Sequence, residues 1–536
     1  MPSLFSKIFA SLLLVSMTTL TFSETQFKYE ATKMSVNGFL IEGYTDQSEL
    51  QSEKHKTAVN EIINIDMQKN KSGYNIDLLR DLTDQITNYY RLQGYFLASS
   101  YIPQQTADDG YIVIKIVEGT LASVNPEGNK VFKNELLQTA FAQYIGKPVS
   151  KDQIETAVLL VNDYPGYNGT AIFSPGNKIG ETVLILKTQE DVKTKTVIGF
   201  DNYGSPTTGQ YRFRGDIYIN NLSAAADQLT INGIYSIDPA NNLSLSTNYN
   251  RPIINPNINL IANYNYNSYV IGGNFEDLGI NGNSHILSST LNYKHLRTTP
   301  KNINYNTSLA YKYSESYGLG QPLFSNSFVL SLGANISGQS PFLNGRYFAQ
   351  TNLSKGLLSN LTNTRDDSYN ETFLKLNASG SYSFPVPNLA NQYALIRSNF
   401  QYTSDTLHSS ERLALAGNQS LRAVPISEYS VDSGIILNLE WIAKSKPTTE
   451  FGWLKNIQAT GFIDNAYGAI NATETGSQKA LTSTGNTTFQ SSIGVGIHLT
   501  PSNKFQLKST LGYRPTKIET ANASEFLFLT NLSYQF

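Results

Sequence analysis

The chain has 536 residues, 40 Lys and Arg against 42 Asp and Glu, a net charge of -2 and no cysteine. That length exceeds what one ordinary core needs, so two or more domains are expected. The balanced charge offers no basic excess to neutralise phosphates, which removes nucleic acid as a partner, and the absent thiols exclude disulfide staples and cysteine metal sites.

The first 23 residues read as an export signal, with Lys7 in a short basic region, Ile8 to Leu20 mostly apolar or small, and Thr21-Phe22-Ser23 before Glu24. Cleavage is expected after Ser23, leaving a short N-terminal segment at 24–33. No later apolar run is long enough for a spanning helix, which excludes a helical membrane protein.

Over 34–190 helical and strand periods take turns. Ile76, Leu79, Leu82, Ile86, Tyr89 and Tyr90 recur at three- and four-residue steps, predicting one face of a helix that ends near Gly94. Strands are expected over 95–102 and 111–117, separated by a turn at Asp108-Asp109-Gly110. The order then recurs: a short strand at Val124, a helix near 132–144, and a second helix from Ser150. There Ser150 and Gln153 match a capping box, and Ile154, Val158 and Val161 form an apolar stripe. Strands near 170–174 and 182–188 close the unit around Pro175-Gly176. Two small β-α-α-β-β domains follow from this, 34–118 and 119–190.

From 191 to the end the chain breaks into segments with period two. They begin near 194, 210, 226, 242, 256, 284, 302, 324, 345, 371, 391, 431, 450, 486, 503 and 525, about sixteen in all. Ile303, Tyr305, Thr307, Leu309, Tyr311 and Tyr313 alternate with Asn302, Asn304, Asn306, Ser308 and Lys312, an apolar face for lipid and a polar one for a lumen. Such a barrel hides its hydrophobicity in alternation, and 33 Tyr with 26 Phe supply interfacial girdles. Short turns such as 251–256 belong on the periplasmic side, and longer loops such as 267–283 and 465–485 outside. The last segment alternates Phe526, Phe528, Thr530, Leu532, Tyr534 and Phe536 with Asn531, Ser533 and Gln535. It reads as the closing strand of an outer-membrane barrel, paired back to the strand near 194. Tyr534 and Phe536 are then a signal for the barrel-assembly machinery during biogenesis and anchors in outer-membrane lipid. The fold class is two periplasmic α+β domains followed by a 16-stranded antiparallel transmembrane β-barrel.

Tyr90 with Gly94-Tyr95, Ile102-Pro103-Gln104, Asp109-Gly110 and Val117-Glu118-Gly119 resemble the first POTRA domain of the two-partner secretion transporters, the TpsB family of haemolysin secretion/activation proteins. Leu160-Val161-Asn162-Asp163-Tyr164-Pro165-Gly166, then Ser174-Pro175-Gly176 and Gly180-Glu181-Thr182, are similar to the second. The turn residues serve tight turns, and Asn162-Asp163 suits a helix end bonded to nearby backbone.

The connection between the eleventh and twelfth strands, about 404–430, resembles the sixth extracellular loop of this superfamily, whose V-R-G-Y or V-R-A-Y-P tip folds back into the lumen. Here the tip reads Leu421-Arg422-Ala423-Val424-Pro425, with Leu421 in place of Val and Val424 in place of the aromatic. A long cation inside a barrel requires a carboxylate. The family's partner lies in F-x-D-x-G on strand thirteen, matched by Phe462-Ile463-Asp464-Asn465-Ala466 with Ala for the last Gly. Parity agrees independently: Ile457, Ala459, Gly461 and Ile463 would face lipid, and Gln458, Thr460, Phe462 and Asp464 the lumen. A bidentate pair between Arg422 and Asp464 would lock the loop.

The histidines His55, His285, His295, His408 and His498 lack ligand spacing, and no nucleophile or phosphate-loop motif appears, so no catalytic residue, metal or cofactor is expected. The resemblance implies an outer-membrane pore that secretes an unfolded partner exoprotein, of adhesin or haemolysin type. The POTRA domains would recognise its N-terminal secretion domain, and the lumen-folded loop would gate the pore. A barrel-assembly factor of the same superfamily is the alternative. Related transporters often begin with a plug helix, but 24–33 is too short for a helix crossing ~30 Å at ~1.5 Å per residue. Closure mainly by the loop is therefore expected.

Overall fold

The computed structural model of the protein describes residues 32–43, 49–106, 109–318, 321–360, 369–426, 428–445, 456–471, 486–502, 504–516 and 524–536. The proposed export signal, and all but the last two residues of the segment at 24–33, lie outside the described residues.

The described residues up to 93, with those of 97–118, form one compact unit. Its three-stranded sheet has Tyr111–Val117 at the centre, parallel to Gly38–Glu42 and antiparallel to Ser99–Tyr101. Helix Ile76–Leu92 starts at Asn75, whose side chain accepts from the Leu78 N–H, and it buries Leu79, Leu82, Ile86 and Tyr90 while Ile76 stays exposed. A second helix, Glu49–Lys69, leaves little periodic signal because polar groups share its inward face. His55 meets the Tyr89 hydroxyl at 3.0 Å, and Asp66 accepts from the Tyr74 hydroxyl at 2.8 Å. The strand expected over 95–102 is only three residues long, because Gly94 and Phe96 are taken up in a turn (Phe96 N to Gly94 O, 3.0 Å).

Residues Gly94–Phe96 and the described residues from Gly119 to Phe536 form the other unit. Its first part is a sheet with Glu181–Glu190 between Thr120–Glu127 and Tyr167–Pro175. The helix expected near 132–144 is divided into Asn134–Gln138 and a tighter 3-10 turn, Thr139–Tyr144. Ser150 and Gln153 close the capping box reciprocally at 3.3 and 2.9 Å at the start of helix Lys151–Asn162. That helix buries Ile154, Ala157, Leu160 and Val161, with Val158 only partly covered.

The described residues after 193 close a 16-stranded barrel in which every neighbour pair is antiparallel. Barrel strand 1, Thr194–Asp201, pairs with strand 16, Phe526–Gln535; Tyr534 stands opposite Ile198, and the Phe536 N–H donates to Thr196 O at 2.9 Å. Phe526, Phe528, Tyr534 and Phe536 point outward, as do Tyr305 and Leu309 on strand 7, Lys301–Gly318. The loop expected at 267–283 shortens to 271–280, since strand 5 (Ile258–Val270) and strand 6 (Asn281–Arg297) extend into it. Strands 6, 7 and 8 have 17, 18 and 20 residues. The bilayer needs only about 9–11, so these hairpins continue past it. Strand 13 (Asn456–Ala469) likewise enters the loop expected at 465–485, of which 472–485 lies outside the described residues.

Candidate functional site: the lumen loop and its anchors

Strand 11 (Gln392–Thr403) and strand 12 (Ser433–Lys444) are joined by 404–432, whose described residues fold into the lumen. A polar lumen would not hold such a segment unless it carried its own core. Leu415, Ala416, Leu421, Val424, Tyr429 and Val431 cluster there, against Ile436 and Ala466 of the wall. Leu413–Ala414 pairs antiparallel with Ser430–Val431 at the base of this fold. Leu421 and Val424, where the sequence departs from the family's tip, are both fully buried in the cluster, so apolar volume replaces the usual residues. Pro425 is partly buried in the following turn and accepts from the Glu428 N–H at 3.4 Å.

Arg422 is brought directly onto Asp464. Its Nη2 lies 2.6 Å from Asp464 Oδ1, its Nε 3.0 Å from Oδ2, and its backbone N–H donates to Oδ2 at 3.1 Å. The guanidinium carbon sits 3.6 Å from the centroid of the Phe462 ring, within range of a cation–π contact. Asp464 and Phe462 face the lumen from strand 13 while Ile463 between them faces out, the parity read from the sequence. Ala423 donates its N–H to Ser492 Oγ at 3.2 Å on strand 14 (Thr487–Thr500). The tip backbone also presses on Gly512 of strand 15 (Phe505–Tyr513), where an added Cβ would stand 2.9 Å from Ala423 Cβ.

The sequence reading missed part of this site. Glu440 on strand 12 takes Arg422 Nη1 at 3.0 Å and also pairs with Arg397. Asn438 donates Nδ2 to both Asp464 Oδ1 and Ser420 O, each at 2.8 Å. Period two could have found both, because Leu437, Leu439 and Trp441 are the exposed residues of that strand and 438 and 440 lie between them. Two carboxylates thus satisfy one desolvated guanidinium, and Asn438 fixes one of them, the condition under which a buried charge is tolerated. Among the described residues, no group of three His, Asp or Glu could hold a metal ion.

At the periplasmic end, Asp163 is the C-cap of its helix through its backbone N–H, which donates to Leu159 O at 3.0 Å, but its side chain is not spent there. Asn162 does the local work, exchanging bonds with Gly169 at 2.6 and 3.0 Å, while Asp163 pairs with Lys294 Nζ and Arg297 Nη2 of strand 6, each at 2.9 Å. Burial alone would raise the Asp163 carboxyl, but the bonds and charges of Arg297 and Lys294 outweigh it and hold it below the ordinary carboxylate value.

Residues 180–495 match the family of the haemolysin secretion/activation protein ShlB/FhaC/HecB, and 65–119 match the ShlB-type POTRA domain. The chain belongs to that family. It is a TpsB transporter of the outer membrane, with POTRA domains in the periplasm and a role in the secretion of partner proteins. The heme/hemopexin transporter protein HuxB of Haemophilus influenzae is 26% identical over 385 residues, 70% of this chain and 67% of that one. The outer membrane transporter CdiB of Escherichia coli O6:K15:H31 is 24% identical over 402 residues, 70% and 65% of the two chains. A solved CdiB from Escherichia coli superposes with a TM-score of 0.76 over 96% of this transporter and 92% of that chain at 18% identity. BamA from Haemophilus ducreyi lacking POTRA domains 1-3 superposes with a TM-score of 0.53 over 95% and 100% at 15% identity. At these identities the likeness to the solved structures is one of fold.

Proposed function

We propose that this transporter secretes an unfolded partner exoprotein, of adhesin or haemolysin type, and that the loop seated by Arg422 and Asp464 gates its pore. The observation that carries this reading is the loop itself: a packed segment lies in the lumen and is fixed there by ion pairs, which can be exchanged for water without unfolding the barrel. A permanent plug would need no such releasable contacts. The partner's N-terminal secretion domain is recognised by the POTRA domains through strand addition at a sheet edge such as Tyr167–Pro175. Folding of the partner outside biases movement, since the periplasm supplies no ATP. Outer-membrane lipid holds the apolar band, and the barrel-assembly machinery reads the C-terminal aromatic strand.

The test is co-expression of the full chain with a large exoprotein encoded beside it. Appearance of that protein in the medium only when the transporter is present supports the reading. Retention of the exoprotein, together with loss of other outer-membrane barrels when the transporter is deleted, would favour a barrel-assembly factor.

A further inference from the structure

The loop touches the wall at a second place, and there the charges are reversed. Glu411, in the short turn Ser409–Glu411 of the first limb, has a side chain only 1% exposed. It is paired with Lys312 of strand 7 and, at 2.9 Å, with Lys375 of strand 10 (Thr372–Pro385). Lys375 also donates to the Glu411 carbonyl at 2.9 Å, and Gln401 Nε2 to the same carbonyl at 3.2 Å. Arg412 turns the other way, to Asp432 Oδ1 at 3.0 Å; Asp432 also accepts from the N–H groups of Leu407 and Asn471 at 3.1 and 2.8 Å. Arg412 and Asp432 therefore close the root of the loop, and Glu411 alone is left to face the lysines. Strands 7 and 10 are three places apart, roughly 14 Å along the wall at ~4.8 Å per strand. One carboxylate holds a lysine from each, on a part of the wall that runs from strand 7 to strand 10, two places short of strand 12.

We propose that Glu411 is a second anchor, a positioning residue that seats the first limb on Lys312 and Lys375 as Arg422 seats the tip on Asp464 and Glu440. The loop offers an anion at one anchor and a cation at the other, so only one orientation in the lumen satisfies both. Release of the tip leaves the limb seated, and full opening requires both anchors to part. Withdrawal then uncovers Lys312 and Lys375 on one stretch of the wall, and Asp464 and Glu440, with Arg397 on Glu440, on another. This inference rests on the loop being the gate.

The experiment is conductance of the full-length protein in planar lipid bilayers, with folding of each variant checked by heat-modifiable gel migration. Glu411→Lys is expected to raise the open-to-closed ratio by at least about tenfold, equivalent to ~1.4 kcal/mol. Combining it with Lys312→Glu and Lys375→Glu is expected to bring the ratio back toward the parent, because the loop cation then meets wall anions. Where Glu411→Lys does not insert, Glu411→Gln replaces it with the same expected direction. An open ratio raised by Arg422→Ala but untouched at position 411 would overturn the second anchor alone, as would a triple variant no more closed than Glu411→Lys. No change in either Arg422→Ala or the position 411 variant would overturn the gate and the anchor together.

Discussion

Arg422→Ala removes the side chain's two bonds to Asp464, its bond to Glu440 and its stack on Phe462, and leaves Asp464 fully buried. Truncating one partner of a buried pair costs about 3–5 kcal/mol. Two donors to Asp464 survive the change, the backbone N–H of residue 422 and Asn438 Nδ2, and water can enter the lumen. These place the loss at the low end, about 3 kcal/mol, or roughly two powers of ten in the ratio of seated to withdrawn loop. Asp464→Ala should act in the same direction, since Arg422 keeps only Glu440. The expected outcome is more frequent opening in planar bilayers and impaired export of the partner, with normal amounts of folded barrel in the membrane. Normal secretion by both variants, with unchanged opening, would refute the lock.

Three other changes probe separate parts of the molecule. Asp163→Asn should loosen the second POTRA domain from the barrel by about 2 kcal/mol, the scale of charge-assisted bonds, and lower hydrogen-exchange protection over 151–163. Because the Asp163 carboxyl is held below its ordinary 3.8, the parent's protection should be full at neutral pH and be lost as the pH falls through the lowered value, whereas the Asn variant should show no such step. Gly512→Val places methyls against the Ala423 backbone, 3.2 Å from its Cα before the branch is added, so it should unseat the tip and raise conductance without touching any charge. Phe536→Ser should lower the amount of barrel in the membrane, measured by immunoblot, with export per inserted molecule unchanged.

Period two carried most of the barrel, because a strand between lipid and water must alternate and Ile463 and Asp464 cannot exchange faces without reversing the whole strand. The same rule placed Phe462 beside the lock. It says nothing about pairings across the lumen, which depend on where the loop's own core settles. The contacts of Glu411 with Lys312 and Lys375, 99 and 36 residues away, therefore left no local trace. Glu440 was legible by parity but unmarked, since a lumen carboxylate on a polar face resembles any solvated charge. The helix Glu49–Lys69 was hidden for a related reason: its buried face spends His55 and Asp66 on hydrogen bonds instead of apolar contacts. Asp163 sat in a motif that explains a turn, and only its distance to strand 6 assigns it to the barrel.

Gating by the loop is tested most directly with a reversible tether. The chain has no cysteine, so Ala423→Cys with Ser492→Cys, neighbours through a 3.2 Å bond between Ala423 N and Ser492 Oγ, introduces a single possible disulfide from loop tip to wall. Secretion of the partner should stop when the pair is oxidised and return when it is reduced. Equal secretion in the two states, with the bond verified by mass spectrometry, would contradict passage through a pore that the loop must leave.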